Sequence, residues 1–299
     1  MRIASRYVLT GLLLTFLSTD AACQPKPAQD PPYRDRQQLA LLLLSQMDTS
    51  QHSPLWPAIR AGALFRNLRE NVLYPERVYQ GHYTNFCAYA ALTVLLAREN
   101  PENYVRNVVE LFTRGETSVN GKTIKPSASV RAVAGTLEGK GILNLNPADQ
   151  LWFLAMADAY KAYLNLDQQF HPGDENKPWA ICTIGKFNRM ARELGGFRIE
   201  SWGTDLFRPI NKSTTNFIQE QLRKGIVVLY VNSNYLHPLK FHVLMMRAPT
   251  HYIIVHDIRE TDGMVELTYW DYGLKTVQQL SDERLHDMIF GIIRMNLNE

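Results

Sequence analysis

The residues that could do chemistry begin at a cysteine. Gln80-Gly81-His82-Tyr83-Thr84-Asn85-Phe86 is a polar loop, and Cys87 follows it at the head of an almost wholly apolar run that reaches Ala97. A run that is apolar on every side reads as a buried helix. A thiol at the start of a helix sits at the positive end of the helix dipole, which favours the thiolate. With a histidine in reach, such a thiolate attacks a carbonyl carbon and forms a thioester. The backbone N–H of Cys87 and one side-chain amide would hold the oxyanion. The loop offers two side-chain amides, Gln80 and Asn85, and the position of Asn85 also suits an ordinary helix N-cap.

Two strand-like patches near the C-terminus supply the partners. His251 opens the run Tyr252-Ile253-Ile254-Val255, and Asp271 follows Tyr269-Trp270 ahead of Tyr272-Gly273. A three-residue loop Thr261-Asp262-Gly263, with the glycine in the left-handed region, pairs Glu260 with Met264 and Ile253 with Asp271. His251 then shares a face with Asp271 as its diagonal neighbour. A two-residue loop shifts the register by one and turns Asp271 to the opposite face. A Cys-His-Asp site therefore predicts the three-residue loop. The same parity sets His256 on the face opposite His251, as a structural or surface histidine. His82 is near enough in sequence to Cys87 to be an alternative base, and reads better as a wall of the cleft. His237 and His242 carry no recognisable spacing.

The elements that must position these residues fall into two groups. Helical patterns cover 37–47, 57–72, 87–98, 103–114, a short piece within 127–137, a helix to 164 with Asn146 as N-cap and Pro147 at its first position, and 179–194, closed by Gly195-Gly196. Asn120-Gly121 marks a hairpin between them. Strand patterns cover 197–202, 226–231, 241–247, 251–258, 264–270, 274–280 and 289–295, with helices at 213–223 and after Ser281. This segregation is α+β: a helical lobe over 36–196 built round the Cys-bearing helix, then a mainly antiparallel sheet over 197–299.

Together, Gln80 with Cys87, Thr250-His251-Tyr252-Ile253-Ile254-Val255 and Tyr269-Trp270-Asp271-Tyr272-Gly273 resemble the papain-like cysteine peptidase superfamily. Within it the likeness is to the bacterial branch that includes the double-glycine-leader, bacteriocin-processing peptidases. The resemblance implies one papain-like domain over 36–299, with a cysteine on a central buried helix and a histidine and an aspartate on neighbouring strands. It implies that His251 takes the proton of Cys87, that Asp271 orients the imidazole, and that Gln80 helps to form the oxyanion hole. The implied activity is cleavage of peptide or isopeptide bonds in a peptide or protein substrate. Two alternatives stay open. Bacterial cell-wall amidases and endopeptidases use the same groups on peptidoglycan. In an exported protein, Cys87 and Cys182 could form a disulfide and leave a papain-like binding domain without catalysis. Cys182, at the start of the predicted 179–194 helix, is a candidate nucleophile in its own right, but no oxyanion loop precedes it.

At 299 residues, 45% apolar and 20% charged, the chain suits a globular protein. A net charge of +3 without a dense Lys/Arg cluster argues against a nucleic-acid partner. Arg2 and Arg6 lead into an apolar stretch over 7–17 that is too short to span a bilayer, so 1–22 reads as an export signal. Cleavage near Ala21 or Ala22 gives a secreted or periplasmic protein. Cleavage before Cys23, with a lipid on that thiol, gives a membrane-anchored lipoprotein, the one form of membrane attachment expected. Residues 23–35 are proline-rich and read as a flexible linker. No His-Glu-x-x-His, Cys-x-x-Cys, Gly-rich phosphate loop or Gly-x-Ser-x-Gly motif occurs, so neither a metal nor a cofactor is expected.

Overall fold

The computed structural model describes residues 31–161, 169–209, 213–236 and 248–297. The expected export signal, Cys23, the strand expected at 241–247, His237 and His242 lie outside the described residues. Residues 31–35, expected to belong to the linker, instead start α1 (Pro31–Ser45). Proline is tolerated in a first turn, where its missing N–H has no helical partner to lose.

The N-terminal region is helical: α2 (Ala61–Leu73), α3 (Cys87–Glu99), α4 (Pro101–Arg114), α5 (Ala128–Val133), α6 (Pro147–Ala159) and α7 (Ile184–Gly195). A short hairpin of β1 (Thr117–Val119) and β2 (Lys122–Ile124) turns on Asn120 and Gly121, both at positive φ, as the Asn-Gly pair predicts. Ala and Leu make α3 a strong helix former, and Pro101 both stops it and opens α4. Every residue from Cys87 to Ala97 is buried. This helix packs against α2, α4, α6, α7 and a strand of the second lobe.

Two helix starts differ from expectation. Asn146 occupies the N-cap of α6, but its side chain does not cap. Asn67 of α2 does so from outside, accepting from the N–H groups of Ala148 (2.9 Å) and Asp149 (3.2 Å). Asn71 donates to the fully buried Asp149 carboxylate at 2.7 Å. The helix expected from 179 begins only at Ile184, with the Thr183 hydroxyl accepting from the N–H of Lys186. Residues 178–180 form a separate tight turn, so Cys182 precedes the helix.

The C-terminal part runs β3 (Phe197–Gly203), α8 (Thr214–Leu222), β4 (Ile226–Val231), β5 (His251–Thr261), β6 (Met264–Asp271), β7 (Leu274–Leu280), α9 (Asp282–Met288) and β8 (Ile289–Leu297). The strands form one antiparallel sheet ordered β3-β8-β4-β5-β6-β7. Alternate residues serve two cores. Tyr230, Tyr252, Ile254 and Trp270 join the core of the helical region, whereas Leu229, Ile253, Val255 and Tyr269 pack with Ile218 of α8 and Leu285 and Met288 of α9. Burial on both faces explains why β4 and the start of β5 read as continuous apolar runs.

Candidate active site

Cys87 opens α3 and is 8% exposed. The N-cap residue, Phe86, makes no side-chain hydrogen bond to the helix start. The thiol thus lies beside N–H groups and a dipole that no side chain caps. Asn85 is not the cap either. Its side chain donates to the Lys177 carbonyl at 3.0 Å and its N–H to the Glu175 carbonyl at 2.8 Å, which ties the loop to 175–177. The thiol of Cys87 donates to the Thr250 carbonyl at 3.8 Å. Cys87 and Cys182 are both free, so the disulfide of the binding-domain alternative is not formed. Burial pushes the Cys182 thiol far up, which disfavours its thiolate.

His251 is the first residue of β5 and Asp271 the last of β6. Imidazole Nε2 meets Asp271 Oδ1 at 2.6 Å, and both residues are almost fully buried. With Nε2 committed to Asp271, Nδ1 is the nitrogen left for Cys87, which helps to keep a proton on the imidazole. Burial by itself opposes a charged imidazole. The charge and hydrogen bond of Asp271, joined by Cys87, outweigh it and raise His251 to about 10.

His251 and Asp271 share a face as expected, but by a different route. The turn closes over two residues, Asp262 and Gly263, with Thr261 paired to Met264. The expected three-residue loop is therefore corrected: Asp-Gly takes the two-residue turn that suits its positive φ angles of 53° and 73°. Alone, that turn would set Asp271 on the wrong face. A β-bulge at His256 compensates. Asp257 pairs with Thr268 and Val255 with Tyr269, which leaves His256 as the extra residue. His256 Nε2 stands 3.4 Å from Glu76 Oε1, and burial depresses its pKa. It takes no part in the cluster round Cys87.

The loop before Cys87 contributes a column of rings. The Tyr79 hydroxyl lies 2.6 Å from His82 Nδ1. His82 stacks on Tyr272 with centroids 4.2 Å apart and planes 2° apart, and Tyr272 stacks on His251 at 5.1 Å and 17°. His82 thus lines the site, separated from His251 by the ring of Tyr272. Gly81 permits the approach: its φ is 78°, and a Cβ there would lie 2.9 Å from the Lys140 carbonyl oxygen. Gln80 is 1% exposed, its Oε1 is buried without a hydrogen-bond partner, and its amide reaches the Tyr272 hydroxyl.

Tyr272 is the residue to which reasoning from sequence gave no role of its own. A signal existed. Asp271 pairs with Leu274, so Tyr272-Gly273 is a two-residue turn that needs positive φ at both positions. A tyrosine is out of place there.

Among the described residues no group of three His, Cys, Asp or Glu side chains could hold a metal ion, and no helix is long and apolar enough to cross a membrane. No family model matches the chain, and no curated protein or solved structure matches it.

Proposed function

We propose that this chain is a papain-like cysteine hydrolase that cleaves peptide or isopeptide bonds. The observation that carries the reading is the buried 2.6 Å pair of His251 Nε2 and Asp271 Oδ1, with Cys87 at an uncapped helix start favouring the charged imidazole. Asp271 fixes the tautomer and stabilises the imidazolium, as the third member of a triad does. The proton of Cys87 passes to His251 Nδ1, and the thiolate attacks the scissile carbonyl. The N–H of Cys87 and the amide of Gln80 receive the oxyanion. As the tetrahedral intermediate collapses, the imidazolium protonates the leaving amine, and the thioester remains on Cys87. His251 then takes a proton from water, hydroxide attacks the thioester, and the carboxylic product leaves as the thiolate–imidazolium pair is restored. If 1–22 serves as an export signal, the substrates lie outside the cytoplasm.

The test is hydrolysis of casein and of a fluorogenic peptide library by the purified chain under reducing conditions, beside the Cys87→Ala variant. We expect turnover by the wild type and none by the variant. Release of soluble fragments from peptidoglycan alone would move the substrate to the cell wall. Equal activity of Cys87→Ala, or no hydrolysis of any of these substrates by the wild type, would overturn the proposal.

A further inference from the structure

We propose that Tyr272 is the positioning residue of this site: its ring fixes the plane of His251 and its hydroxyl fixes the amide of Gln80. The inference rests on the Cys-His-Asp reading above.

The backbone gives the first reason. Tyr272 has φ 47°, a left-handed conformation that costs an L-residue free energy and that Asn or Gly adopts readily. Such strain persists where the surroundings over-determine it. Here they do. The ring stacks on His82 at 4.2 Å and on His251 at 5.1 Å, with planes 2° and 17° apart. The following glycine lets the turn tuck under residues 77–78: a Cβ on Gly273 would meet the carbonyl oxygens of Arg77 at 3.2 Å and Val78 at 3.3 Å.

The geometry of an imidazole gives the second. Its χ2 torsion is broad, so one hydrogen bond does not fix the ring. The bond from Nε2 to Asp271 pins one point, about which the ring could still swing Nδ1 away from Cys87. A parallel ring against its face removes that freedom. His82, held through Nδ1 by the Tyr79 hydroxyl, backs the column from the nucleophile's own loop. The rings therefore register the loop before α3 against the strands that carry His251 and Asp271. The hydroxyl of Tyr272 accepts from the side-chain amide of Gln80, whose own Oε1 is buried without a partner. One side chain thus orients both the base and the candidate oxyanion donor.

The test uses the full-length protein and two readouts. The first is the pH dependence of Cys87 alkylation by iodoacetamide, followed on the Cys87 peptide by mass spectrometry. The titratable groups that face His251 are Asp271, Cys87 and Tyr272, with His82 behind Tyr272. The second is kcat and KM for peptide hydrolysis. Tyr272→Asn, which suits the left-handed turn, should fold as well as the wild type. It should move the alkylation midpoint by about one pH unit or more and lower kcat by about a hundredfold. Tyr272→Phe keeps the ring, so it should leave the alkylation profile in place and lower kcat by about tenfold at unchanged KM. Gln80→Ala added to Tyr272→Phe should cost much less than it does in the wild type, because the two act as a unit. A wild-type profile and kcat in Tyr272→Asn would overturn the role of the ring. Wild-type kcat in Tyr272→Phe, or full additivity with Gln80→Ala, would overturn that of the hydroxyl. His251→Ala is the separate control: if it leaves the alkylation profile untouched, the triad itself falls.

Discussion

The pair of His251 and Asp271 has a thermodynamic signature that can be measured without any substrate. The imidazole is raised from 6.5 to about 10 in the fold. At about 1.4 kcal/mol for each tenfold change, that displacement corresponds to about 5 kcal/mol in favour of the imidazolium. The sign follows from linkage. Below pH 6.5 both the folded and the unfolded histidine are protonated, and the stabilisation is fully present. As pH rises, the unfolded chain releases its proton first, and the stabilisation is lost until the folded imidazolium also titrates near 10. Wild-type unfolding free energy should therefore fall across this window by up to about 5 kcal/mol from this group. Asp271→Asn removes the carboxylate charge that favours the imidazolium and leaves burial to oppose it. The variant should be markedly less stable than the wild type at pH 6.5, and the two should converge towards pH 10. Urea unfolding at four pH values between 6.5 and 10 reads the difference directly, since groups common to both proteins cancel. Parallel stability profiles for wild type and variant would refute the reasoning, because they would mean that Asp271 does not hold the proton on His251.

Two further substitutions test other parts of the account. Asp149 is raised to about 7, first by burial, against the hydrogen bonds of Asn71 and Asn67. The fold should therefore lose up to about 4 kcal/mol at this carboxyl as pH rises from 3.8 through 7. Asp149→Asn should remove this fall of Tm with rising pH over that range, and an unchanged pH slope would count against it. His256→Gln should leave Cys87 alkylation and peptide hydrolysis within about twofold of wild type, whereas loss comparable to that of His251→Ala would show that the wrong histidine has been assigned.

Much of this architecture could be read from residue order. The apolar run after Cys87 does become the central helix, and Asn120-Gly121 does turn its hairpin. Ser281 caps α9 as its position suggests. His251 and Asp271 stand out by their place in the two C-terminal patches, but the register expected from sequence joins them through a three-residue loop, whereas the structure reaches the same face through a two-residue turn and a bulge. The features that were not legible depend on contacts distant in sequence. Nothing near Asn146 announces that Asn67, some eighty positions earlier, caps α6 in its place. Nothing in the composition of Val255-His256-Asp257 marks a bulge. The role of Tyr272 depends on His82, which reaches it only through the tertiary fold.

The bulge at His256 and the short turn at Asp262-Gly263 also limit how this protein can vary. A hairpin loop is ordinarily where a chain gains or loses a residue most cheaply. Between His251 and Asp271 that freedom is gone, because a single insertion at the turn or a single deletion at the bulge exchanges inner and outer faces for every residue up to Asp271. Such a change would rotate the carboxylate away from the imidazole even if the strands still paired. Only paired changes, one at each end of the hairpin, return the aspartate to its partner. Length variation here is thus expected to come in compensated steps, like a frameshift and its suppressor.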